Sequence, residues 1–76
     1  MPSGFVKWFD VKKGYGFISQ DDSDEDVFVH FSNIDMEGFK KLDTGDIVDF
    51  ELKDSDEGPE ALNVKVTVKD KRYYSY

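Results

Sequence analysis

The chain has no cysteine and only one histidine among its 76 residues. Neither a disulfide nor a thiolate zinc site can staple it, and one imidazole cannot build a metal site alone. No apolar run approaches the roughly 18 to 20 residues that a membrane span needs. The opening Met1, Pro2, Ser3 and Gly4 lack the basic start and apolar stretch of a signal peptide, so the expected location is the cytoplasm. No nucleotide-binding loop is present, so ATP-driven work is not expected. No serine, cysteine or second histidine accompanies His30 in an arrangement suited to nucleophilic catalysis. The carboxylates, though plentiful, fall in turns that imply no cleft. An enzyme is therefore not expected, nor a cofactor or a metal. A chain of this length buries only roughly 60 to 65% of its unfolded surface. Its stability must come from packing, and only a few kcal/mol are expected.

Positive charge is also scarce: 10 Lys and Arg against 17 Asp and Glu leave a net charge of −7. That balance argues against a nucleic-acid binder working through a basic surface, because phosphate neutralisation usually dominates such affinity. The acid is patchy, however. Asp21, Asp22, Asp24, Glu25 and Asp26 cluster around one turn and Asp54, Asp56, Glu57 and Glu60 around another, whereas Lys7, Lys12 and Lys13 accompany aromatic segments. The acidic turns read either as solvated loops that keep a small protein soluble or as a surface that repels duplex and other polyanions.

Aromatic rings are abundant: seven Phe, four Tyr and one Trp. They concentrate in KGYGFI at 13–18 and VFVHF at 27–31, both of strand composition. Successive side chains of a strand point to opposite faces. Ile18, Val27 and Val29, apolar and β-branched, then form the core face. Tyr15, Phe17, Phe28 and His30 fall on the other, where a water-facing sheet should be polar. Rings two residues apart on a strand lie about 6.6 Å apart, and rings on paired strands about 4.8 Å apart. Single-stranded nucleic acid matches such a platform, since every base has a π-face to stack on. His30 beside Phe28 is expected to stack and to make one hydrogen bond with a base.

The remainder reads as three further strands. Over 4–12 neither alternating face is purely apolar, which points to a bulge or strong twist that turns Val6 inward while Lys7, Trp8 and parts of Phe9 reach the platform. Trp8 is expected to be exposed. Gly16 reads either as a tight barrel bend or as a gap left for ligand. Lys13 reads as a phosphate-positioning group or as a solvated turn lysine. Residues 32–34 form a short helical turn in which Ile34 plugs one end of the core. Phe39, flanked by Gly38 and lysines, either packs under its loop or offers an edge contact to a base. Strand four, at 46–53, alternates Val48, Phe50 and Leu52 with polar residues. After a turn at 54–59, strand five, at 61–69, alternates Leu62, Val64, Val66 and Val68. Five short strands with no long helix describe an all-β protein, a five-stranded antiparallel oligonucleotide-binding (OB-type) β-barrel. Residues 70–76 are a basic, aromatic tail, read as a frayed end, a nucleic-acid contact or a self-association contact.

The two ring-bearing segments resemble the ribonucleoprotein-type motifs of the bacterial cold-shock protein family. GFVKWFD at 4–10 resembles its first strand, and FSNI at 31–34, EGFK at 37–40 and Gly58 with Pro59 fall where the family has counterparts. The resemblance spans about residues 4–66, so residues 1–69 read as one cold-shock domain. It implies a single-stranded DNA and RNA binder that acts as an RNA chaperone, prefers pyrimidine-rich strands and works as a monomer. Base stacking would fall to Trp8, Tyr15, Phe17, Phe28, His30, Phe31 and Phe39. Lys7 and Lys13 would position the backbone, Asp10 and Asp26 would accept base hydrogen bonds, and Phe9, Pro59 and Glu60 would complete the contact surface. Asp10 stands where many relatives have Asn, Glu57 where the family is often basic and Glu60 where it is often neutral, changes that weaken phosphate attraction. From composition alone, the same aromatic face could instead dock a protein or peptide.

Overall fold

The computed structural model describes residues 2–21 and 23–68. Strands β1 (Ser3–Asp10), β2 (Tyr15–Gln20) and β3 (Asp26–His30) lead into a 3₁₀ turn (Phe31–Asn33), followed by β4 (Ile47–Ser55) and β5 (Gly58–Val68). They close a barrel in the order β1-β2-β3-β5-β4. Every pair is antiparallel except β3 and β5, which meet in parallel at Phe28 and Glu60. The expected tail, together with Lys69 and Asp22, lies outside the described residues.

The parity that assigned the core holds on β2 and β3. Ile18, Val27 and Val29 are buried with Val6, Ile34, Leu42, Val48, Phe50, Ala61 and Val64. Ile34 plugs the barrel as expected, bridging to Val64. The anticipated irregularity in β1 is a bulge: Val6 faces Ile18 and the next aligned pair is Trp8 with Phe17, leaving Lys7 as the extra residue. One inserted residue changes the parity of everything after it. Val6 therefore points inward while Lys7 and Trp8 both reach water. The connection before β4 holds the bulge in place. The Val6 amide donates to the Asp46 carbonyl at 2.9 Å, and the Gly45 amide donates to the Val6 carbonyl at 2.8 Å.

The last hairpin departs from the sequence reading. The turn expected over 54–59 contracts to Asp56 and Glu57, because β4 and β5 continue pairing out to Ser55 and Gly58. Residues 51–57 are all exposed, so the hairpin projects as an arm and Leu52 faces water instead of the core. In β5 the alternation of Leu62, Val64, Val66 and Val68 fails. Asn63 has φ of 52°, a left-handed conformation that Asn tolerates better than most residues, and the register shifts opposite it between Asp49 and Glu51. Ala61 and Val64 consequently both point inward, while Val68 is exposed.

Candidate nucleic-acid interface

Direct cross-strand pairing places Tyr15 opposite His30 and Phe17 opposite Phe28. The bulge adds Trp8 beside Phe17. Four rings close a circuit: Trp8 to Phe17 at 5.4 Å, Phe17 to Phe28 at 5.7 Å, Phe28 to Tyr15 at 5.8 Å and Tyr15 to Trp8 at 5.9 Å between centroids. These spacings are those of edge-to-face and tilted aromatic pairs. Each ring thus supports its neighbours, and Tyr15, Phe17 and Phe28 are half-buried beside the exposed Trp8. Trp8 is 43% exposed, as expected from the bulge. His30 and Phe31 form a second pair at 4.5 Å. The Ser32 amide can only donate, so His30 Nδ1 accepts it at 3.3 Å, and the Ser32 hydroxyl lies 2.9 Å from the same nitrogen.

The turn between β1 and β2 joins the two ring groups. Gly14 adopts φ of 81°, its amide donates to the Asp10 carbonyl at 2.7 Å and its carbonyl accepts the Phe31 amide at 2.8 Å. A side chain at Gly14 would suffer from that conformation and also meet the Phe31 ring. Asp10 Oδ1 accepts the amides of Lys12 and Lys13 at 2.9 and 3.0 Å. One oxygen of the carboxylate read as a base acceptor therefore already serves the turn.

Two clefts of opposite charge flank the rings. One, of about 440 Å³, lies where the β4–β5 arm passes β3, and Asp26, Glu57 and Glu60 border it beside Phe17, Phe28 and Pro59. The other, of about 360 Å³, brings Lys12, Lys13 and Lys40 around Phe31 and Phe39. Phe39 is 70% exposed, so it is not packed under its loop. Phe9, by contrast, packs against the core and not among the rings. Lys7 Nζ lies 3.2 Å from Asp26 Oδ2, so the cation read as a phosphate contact and the carboxylate read as a base acceptor are paired with each other. Both are exposed, and such a pair contributes little to stability. Lys12 and Lys40 escaped the sequence reading as site residues. Lysines flanking Phe39 were the available signal, but the 35–46 connection had to fold over the β1–β2 turn before they converged.

A closed five-stranded barrel with rings on β2 and β3, and with clefts at the β1–β2 and β4–β5 connections, defines an OB-type barrel. The chain belongs to the cold-shock domain family: residues 2–67 match the family described as "'Cold-shock' DNA-binding domain", a family of nucleic-acid-binding proteins rather than enzymes. A "Cold shock-like protein" of Thermotoga maritima is 59% identical over 63 residues, covering 83% of this chain and 94% of the relative. Its namesake in Aquifex aeolicus is 54% identical, covering 83% and 90%, and the "Major cold shock protein" of Micrococcus luteus is 53% identical, covering 84% and 96%. Among solved structures, "drosophila Unr CSD456" shares the fold with a TM-score of 0.71 at 20% identity. That alignment covers 86% of this chain and 26% of the other.

Proposed function

We propose that this protein binds single-stranded RNA and DNA by stacking bases on its ring face, and acts as an RNA chaperone in the cytoplasm. The observation that carries this reading is the circuit of Trp8, Phe17, Phe28 and Tyr15, with His30 and Phe31 continuing it toward Phe39. Such a row takes bases in succession along one strand, about 5 to 7 nucleotides, within the range of roughly 4 to 16 for one OB barrel. A duplex hides its base faces and brings two phosphate chains toward an acidic body. Binding only the unpaired form of an RNA shifts weak hairpins toward the open strand by mass action, with no hydrolysis. Pyrimidine-rich strands are preferred, and a monomer suffices because one barrel carries the whole face.

The test is a titration of Trp8 fluorescence with a short oligothymidine beside an equal-length duplex at two salt concentrations. Quenching by the single strand alone is expected. With two or three phosphates neutralised, log affinity should fall against log salt with a slope of about −1.4 to −2.1. A slope steeper than about −4 would mean that charge carries the binding. No response to either would turn the ring face over to a protein or peptide partner.

The Lys7–Asp26 pair yields a sharper expectation. Asp26→Asn keeps a carbonyl acceptor in place but releases Lys7 to a phosphate. Oligothymidine should bind more tightly at low salt, and the salt slope should steepen by about 0.7, one phosphate's worth. Weaker binding by Asp26→Asn would show instead that the carboxylate charge is itself recognised.

A further inference from the structure

Seven lysines lie within the described residues, and three of them are paired with carboxylates: Lys7 with Asp26, Lys41 with Asp43 and Lys65 with Asp35. Of the other four, which have no ion pair among the described residues, Lys12, Lys13 and Lys40 line one cleft and only Lys53 stands elsewhere. No carboxylate lines that cleft, and the exposed rings of Phe31 and Phe39 border it. In a chain of net charge −7 this is a local reversal of sign. The other end of the ring row is its electrostatic inverse, since Asp26, Glu57 and Glu60 border the cleft at Phe17 and Phe28. A strand stacked along the rings therefore meets unlike surroundings at its two ends.

We propose that the cleft of Lys12, Lys13 and Lys40 is a terminal-phosphate subsite, holding the phosphomonoester at one end of a bound single strand while Phe31 and Phe39 take the adjoining base. An internal phosphodiester carries one negative charge. A phosphomonoester carries about −1.5 to −2 at pH 7 and presents three strong acceptor oxygens. Lysine ammonium groups, each a compact charge with three rotatable donors, suit a group that is open on three sides. Such a dianion gains most where cations converge without a competing carboxylate, and loses most beside acids. The acidic cleft accordingly rejects a phosphate at the opposite end, so the two clefts together give a bound strand one running direction. The proposal rests on the base-stacking reading and adds to it a preference for strands phosphorylated at one particular end.

Trp8 fluorescence titrations at low salt test this, with heptathymidine ending in hydroxyls, in a 5′-phosphate or in a 3′-phosphate. One phosphorylated isomer should bind about fivefold more tightly than the hydroxyl-ended strand, the weight of roughly one unit-charge pair at contact distance in water. Its salt slope should be steeper by about 0.7. The other isomer should gain nothing. Lys12→Gln with Lys40→Gln should bring the ratio of the tighter isomer to the hydroxyl-ended strand close to one, whereas Lys53→Gln, which removes a charge outside the cleft, should keep that ratio. Free thymidine triphosphate offers the same phosphate chemistry but leaves the ring circuit empty, so at equimolar concentration it should not displace the phosphorylated strand. Equal affinities of the three strands overturn the proposal and leave base stacking standing. Equal gains by both isomers, or a gain that survives in the double lysine variant, overturn it too, because added charge anywhere would then suffice. Displacement by the free nucleotide would overturn the assignment to a strand end. Failure of every strand to bind removes the proposal together with the base-stacking reading beneath it.

Discussion

Phe17→Ala is expected to weaken oligothymidine binding by about 1 to 3 kcal/mol, roughly 5- to 150-fold, the usual cost of removing one base-stacking ring. Phe17 touches both Trp8 and Phe28 and also borders the acidic cleft. Its loss therefore removes one stacking surface and leaves the Trp8 and Phe28 rings less well supported. Lys7→Ala should cost less, because Lys7 is exposed and already satisfied by Asp26, and any phosphate contact must compete with that pair. Phe28→Ala should resemble Phe17→Ala, and the double variant should fall short of the sum, since the two rings are 5.7 Å apart and in contact with each other. Phe17 is only half-buried, and urea unfolding of each variant separates lost affinity from lost fold. Lys7→Ala exceeding Phe17→Ala would refute stacking as the principal source of affinity.

The ring face was legible because β2 and β3 are regular. With Phe17 directly opposite Phe28 and no bulge between them, parity alone puts four ring residues on one side. β1 was legible for the opposite reason, since its pattern fits neither face unless a residue is inserted, and Lys7 is that residue. Strand β5 misled because its valines alternate well on paper, and nothing local announces that Asn63 takes a left-handed conformation and resets the phase. Leu42 is buried and closes the core from a connection with no periodicity to read. The two clefts and the Lys7–Asp26 pair join residues far apart in sequence, so only closure of the barrel brings them together. Residue types marked the candidate bases and acids; their pairing with one another belonged to the topology.

Gly16→Ala is expected to remove most of the domain's stability, although it adds a single methyl. Gly16 is buried opposite Phe9. A methyl there would run into the Trp8 carbonyl oxygen and lie 2.7 Å from the Phe9 Cα. Both obstacles are backbone atoms of the paired strand, so no rotamer change can relieve them, and β1 would have to move off β2. Overpacking costs about 1 to 3 kcal/mol even where side chains can yield. Here the upper end applies, and a domain of this size has only about 3 to 5 kcal/mol to lose. The gap is therefore filled by β1 and is not left open for a ligand. It also bears on binding, because the close approach of β1 at Gly16 brings Trp8 to 5.4 Å from Phe17. Urea unfolding followed by Trp8 fluorescence should show the midpoint fall by more than half. Any Gly16→Ala that stays folded should bind oligothymidine more weakly, with Trp8 displaced from the circuit. Native stability in the variant would mean that the β1–β2 contact is looser than the structure places it.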